Sequence, residues 1–137
     1  MHYIYVCVKH FNEGVLNLEL PPLGPMNKDV GNHLVKCLIE EANELQEAHD
    51  QQDLVKCVDA LIDSIYFAVG GLQKLGLTQD EAVRVFELVH NANMTKKRGQ
   101  KEGRITGDAA DAIKTAEWIP PENAIHNFLF CKGEDNE

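Results

Sequence analysis

Glu41 and Glu44 stand three residues apart in LIEEANEL (residues 38–45), and Asp59 and Asp63 stand four apart in VDALIDSIYFAVGG (residues 58–71). At about 100° per residue, each spacing keeps its pair on one stripe of a helix. If the two helices pack against each other, four carboxylates enter one dry volume. Ionised carboxylates removed from water without partners cost on the order of several kcal/mol each, so a positive charge must sit among them. Lys36, Lys56 and Lys74 on the two helices are too few to neutralise four acids. A hard divalent cation does it well: Mg²⁺, with Mn²⁺ as a substitute, takes oxygen ligands and keeps room for waters and substrate phosphates.

The helical phase separates these acids from their neighbours. On the first helix the apolar arc runs from Cys37 through Leu34, Leu45 and Leu38 to Val35; Glu41 falls inside it and Glu44 at its edge, with Glu40 and Glu47 on the solvated side. Between Leu54 and Val69 the second helix carries only Lys56, Asp59, Asp63 and Ser64 as polar residues, so it is expected to be buried on most sides. So apolar a helix in so small a domain argues for a second subunit, a homodimer or homotetramer. An E-x-x-E spacing alone is common on solvated acidic helices. A second acidic pair on an apolar helix, one short turn later, is not, and acid clusters facing across antiparallel helices recur as metal sites in bundles.

The elements that hold these residues can be read from punctuation and period. ELPPLGP (residues 19–25) is a connecting loop, because its prolines fix φ and remove donors. Asn27 or Asp29 can cap the first acidic helix, which runs to about His49; HDQQD (residues 49–53) is a turn. The second helix runs from about Leu54 to Leu75 and closes at Gly76. Thr78 and Glu81 have capping-box spacing, so a third helix starts there, turns Ala82, Val83, Val85, Phe86 and Val89 inward, and ends near Asn93. Residues 94–116 read as a mobile or ligand-ordered segment with one helical turn at DAADAIKTA, and the proline pair in EWIPPENAIHNFLF suits entry to a short helix. MHYIYVCVKHF at the start has the β-branched and aromatic content of a strand. Together these predict one all-α domain over residues 1–137, an antiparallel helical bundle completed by oligomerisation.

Bulk properties exclude some partners. A formal charge of −9 repels nucleic acid and anionic membranes. Cys7, Cys37, Cys57 and Cys131 form no C-x-x-C pair, no signal peptide is seen, and the longest apolar stretch is broken by charges. A reduced, cytoplasmic protein is expected.

The residues also resemble a known family, the all-α nucleoside triphosphate pyrophosphohydrolases of the MazG-like and phosphoribosyl-ATP pyrophosphohydrolase-like group. Its signature is an E-x-x-E helix followed by an E-x-x-D helix. Glu41-Ala-Asn-Glu44 is similar to the first half, and Asp63 followed by Tyr66 and Gly70 to the end of the second; VKHFNEG, VHNANMTKK and WIPPE extend the resemblance over most of the chain. Where the family has Glu three residues before the aspartate this chain has Ala60, and Asp59 one position earlier takes the place. The resemblance implies a helical N-terminal segment and Mg²⁺-dependent hydrolysis of an NTP or dNTP to monophosphate and pyrophosphate. Glu41, Glu44 and Asp63 would hold the metal with Asp59 as fourth ligand, and Glu40 would orient water. Asn93 and Lys96, near Lys97 and Arg98, would meet the nucleotide and its phosphates. Alternatives at this level are a dedicated phosphoribosyl-ATP or dUTP hydrolase, and a non-catalytic helical adaptor whose acids hold a structural cation.

Overall fold

The computed structural model describes residues 1–99 and 111–131. Five helices and one two-stranded sheet are present among them, so the fold is essentially all-α as expected. The chain divides into two compact units, residues 1–82 and 83–137.

The first unit holds α1 (His2–Gly14), α2 (Lys28–Asp50) and α3 (Leu54–Lys74). The N-terminal segment is therefore a helix and not the strand its residue types suggest. Its period-3.6 pattern decides this: Tyr5, Val8 and Asn12 are buried together on one face, a match that strand alternation cannot give. Tyr5 and Val8 pack with Val69 and Ala82, and Tyr66 and Leu72 lie against the cluster. A buried polar chain ties α1 to the end of α3: Asn12 Nδ2 donates to Gln73 Oε1 (2.7 Å), and Gln73 Nε2 donates to the Tyr5 carbonyl (2.9 Å). The Tyr5 hydroxyl donates to the Leu77 carbonyl (2.7 Å).

Of the two capping candidates for α2, Asn27 is the one used, and Asp53, not marked by the sequence, caps α3. Asn27 Oδ1 accepts from the Asp29 amide at the start of α2, and Asp53 Oδ1 accepts from the Lys56 amide at the start of α3. The two helices form an antiparallel pair joined by the short turn around Gln51 and Gln52. Beyond α3, Gly76 sits at φ +83°. A Cβ there would lie 2.6 Å from backbone atoms of Pro21, Pro22 and Leu23, so the proline loop crosses directly over the helix end, and the Gly24 amide donates to the Leu75 carbonyl (3.0 Å). Gly76→Ala is therefore expected to destabilise the protein by about 2 kcal/mol or more, from left-handed strain of about 1–2 kcal/mol plus the backbone collision. Gly14→Ala, with open space around it, should leave the urea midpoint nearly unchanged.

α4 (Gln79–Met94) begins at the capping box: Glu81 Oε2 accepts from the Thr78 amide (3.0 Å), and Thr78 Oγ1 accepts from the Glu81 amide (3.4 Å). Ala82 is buried and Val83, Val85 and Val89 are half-buried, but Phe86 is 57% exposed and does not point inward as expected. Its position on α4 lies one step round the helix from the Val85 stripe. In the second unit, β1 (Lys97–Gly99) pairs antiparallel with β2 (Asp111–Ile113), with Lys97 opposite Ile113. The helical turn expected at DAADAIKTA is thus replaced by a strand over residues 111–113; its first three residues lie outside the described part. α5 (Glu122–Phe130) follows the proline pair, with Pro121 as its cap.

Among the described residues no helix is long and apolar enough to cross a membrane. The four cysteines are free.

Candidate active site

Glu41 is the one acid on α2 and α3 that is buried. It is 9% exposed, and its Oε2 has no hydrogen-bond partner. It sits on the inward stripe of α2 with Cys37 and Ala48, where the phase of the apolar residues puts it. Burial is the largest cause raising its pKa above the ordinary carboxylate value; the negative charges of Glu44, Asp63, Asp59 and Glu40 raise it further, in that order. The four other acids singled out in the sequence therefore all act on Glu41 through their charge.

The remaining four are exposed. For Asp59 and Asp63 this corrects the expectation that α3 is buried on most sides. Val55 is 78% exposed and Ile62 is 53% exposed, and Leu54, Val58, Leu61 and Ile65 are exposed beside them. α1 and α2 cover only part of α3, so its remaining apolar stripe and the two aspartates face outward together. Glu40 also faces outward, 3.9 Å from Lys36 one turn earlier.

A cavity of about 350 Å³ opens beside Glu44 and Asp59, lined also by Glu47, Ala48, Gln51 and Lys56. Glu47, whose carboxylate accepts from Gln51 Nε2 (3.0 Å), is solvated as its phase predicts, yet it belongs to the wall of this cavity. Lys56 supplies the one cation of that wall. Neither residue is marked by the sequence, because the cavity is made by the turn between the helices and not by either helical stripe.

Among the described residues no three His, Cys, Asp or Glu side chains come close enough to hold a metal ion. The other carboxylates act on Glu41 through their charge without converging as a set. Their chemistry nonetheless suits a hard cation: every donor is a carboxylate oxygen, and the buried Glu41 oxygen lacks any other partner. Glu41, Glu44, Asp59 and Asp63 are the residues that would hold it.

The raised pKa of Glu41 has a definite sign in stability. The folded state binds this proton more tightly than the unfolded chain does, so the contribution of Glu41 is lost as pH rises from the ordinary carboxylate value through its raised one. In chelator, the wild-type urea midpoint is expected to fall with pH across that window more steeply than that of Glu41→Gln. Mg²⁺ or Mn²⁺ should restore the wild type, by about 2.7 kcal/mol at a hundred times the dissociation constant, and not the variant. Equal midpoints in chelator and in excess Mg²⁺ would dismiss the cation site.

Asn93 and Lys96 belong to the second unit. Asn93 lies exposed in the last turn of α4, and its carbonyl accepts from the Lys96 amide (3.1 Å). Lys96 Nζ stands 5.5 Å from the centroid of the Trp118 ring, and Lys114 Nζ stands 4.2 Å from the same centroid. Lys114 and Trp118 are the additions the sequence did not mark here: Trp118 lies far along the chain, and only the β1–β2 pairing brings it back to α4.

A family model described as phosphoribosyl-ATP pyrophosphohydrolase matches residues 21–93, more than half of the chain and the whole of α2 and α3. The match supports an enzyme with nucleotide pyrophosphohydrolase activity in general. No curated protein and no solved structure matches the chain significantly.

Proposed function

Because the chain belongs to the phosphoribosyl-ATP pyrophosphohydrolase family, we propose that it hydrolyses nucleoside triphosphates, ribo or deoxy, to monophosphate and pyrophosphate in a reaction that depends on Mg²⁺ or Mn²⁺. The observation that carries this reading is Glu41: a buried carboxylate with an orphaned oxygen, under the charge of four acids from two helices. A charged group so placed is costly without a cation, and its buried oxygen has no hydrogen-bond partner.

In this reading Glu41, Glu44 and Asp63 are the principal ligands, and Asp59 stands in for the acid that Ala60 lacks. The ion's contribution when bound is neutralisation of the triphosphate and a lowered pKa for an attacking water. Glu40, exposed and paired only loosely with Lys36, is free to accept a hydrogen bond from that water and take its proton. Asn93 and Lys96 bind the nucleotide and the departing phosphates. The outward apolar stripe of α3 is assigned to contact with a second copy of the chain, giving a dimer or tetramer.

The description of the family model favours a second reading in which the substrate is phosphoribosyl-ATP. A panel of ribo- and deoxynucleoside triphosphates plus phosphoribosyl-ATP, assayed with Mg²⁺ and Mn²⁺ in ¹⁸O-water, separates the readings. The expected products are monophosphate carrying the label and unlabelled pyrophosphate. Release of inorganic phosphate with a diphosphate would mean attack at the γ position, and no turnover on any member would leave only the adaptor reading.

A further inference from the structure

The second unit concentrates positive charge on one aromatic ring in a chain whose net charge is −9. Continuing the β1–β2 register by one step beyond Lys97 and Ile113 sets Lys96 directly opposite Lys114. Strand alternation puts Arg98, paired with Ala112, on the same face of the hairpin. Like charges opposite each other on a ladder repel, so this face needs compensation.

Trp118 supplies a part of it. Its Nε1 donates to the Ala92 carbonyl (2.9 Å), which also accepts from Thr95 Oγ1 (2.8 Å), so the half-buried indole is fixed by its polar edge to the end of α4. The ring is left to face the two ammonium groups, at 5.5 and 4.2 Å from its centroid. An aromatic quadrupole attracts these cations weakly and neutralises none of their charge. Lys96, Arg98 and Lys114 make no ion pair among the described residues.

We propose that Lys114 extends the phosphate-binding group of Lys96 and Arg98 into a platform for the linked phosphates of a nucleotide, with Trp118 as the support that keeps the two lysines together. The inference deepens the nucleotide pyrophosphohydrolase reading and rests on it for the identity of the ligand. Two cations converging on one ring from opposite strands suit a diphosphate unit, whose charges are spread over adjacent phosphorus centres, better than a single small anion. Because the ring is already engaged by the lysines, the platform reads phosphate and leaves base recognition elsewhere.

Trp118 is the chain's one tryptophan, so its emission reports this site alone. Titrating the full chain with inorganic pyrophosphate in chelator should give a saturable change in emission. Lys114→Gln should weaken that binding about tenfold and Lys114→Arg should retain it. In turnover assays Lys114→Gln should raise KM by a similar factor with kcat little changed. A titration identical in wild type and Lys114→Gln, with circular dichroism unchanged, would overturn the platform even if hydrolysis is found. Pyrophosphate binding that depends on Lys114 in a chain hydrolysing no nucleotide would uphold the platform and defeat the catalytic reading.

Discussion

Asp63→Asn is expected to lower turnover by about 10² to 10³-fold, the range seen when one preorganised electrostatic contact to a transition state is removed. The substitution keeps the shape of the side chain and takes away only its anion. Asp63 is exposed and among the acids that raise the pKa of Glu41, so its loss should leave the helices intact while weakening the hold on the cation. The variant should therefore need more Mg²⁺ for half-maximal rate as well as turning over more slowly. Glu13→Gln is the control: Glu13 is exposed on α1 and pairs with Lys9 at 3.5 Å, remote in role from the acidic centre. Equal losses in the two variants would show that the acids of α3 have no special standing. Comparable rates for wild type and Asp63→Asn at saturating metal would remove Asp63 from the ligand set.

Placing two charges on the bare stripe of α3, Val58→Glu with Ile62→Glu, is expected to convert an assembled protein into a monomer. Leu54, Val58, Leu61 and Ile65 recur at helical spacing and, with Val55 and Ile62, leave a continuous apolar surface uncovered by α1 and α2. Burying a half-exposed aliphatic side chain gains about 1 kcal/mol, and a twofold interface uses each residue twice, so six such positions reach about 10 kcal/mol or more. That is enough to exceed the lower estimates, about 4 kcal/mol, of what association costs in lost freedom. The carboxylates of the double variant would have to enter that surface unpaired. Light scattering at micromolar concentration decides the matter: a wild type that is already monomeric would cancel the assembly, and a double variant that stays assembled would move the contact elsewhere.

The sequence made Glu41 legible because one helix carries its own ruler: the apolar residues of α2 define a face, and a single carboxylate lies within it. The caps at Asn27 and Thr78 and the stop at Gly76 were legible for the same reason, each being local chemistry. Asp59 and Asp63 were misread as buried because an apolar helix shows that something covers it without showing whether the cover belongs to the same chain. α1 was ambiguous by residue type, since Tyr, Ile and Val favour strands while their spacing fits a helix, and tertiary packing on Val69 settled it. Lys56 and Glu47 meet only because a turn places them on one cavity wall. Lys114 and Trp118 join Lys96 through a strand pair three residues long, too short for any pattern to announce.

The crossing of the proline loop over Gly76 also bears on how the first unit comes apart. The Gly24 amide bonds to the Leu75 carbonyl and the Tyr5 hydroxyl to the Leu77 carbonyl two residues on, so segments from the beginning, middle and end of the unit meet there. The acidic hairpin of α2 and α3 cannot open at this end without releasing α1 as well, and the amides of Gly24 and Leu77 should exchange with solvent only when all three helices let go. Residues 21–93, the family's matched segment, begin after α1 and leave Gln73 and the Leu77 carbonyl without their donors and acceptors. The smallest piece able to hold the carboxylates in register therefore starts near Tyr5: the unit of folding is longer than the unit of kinship.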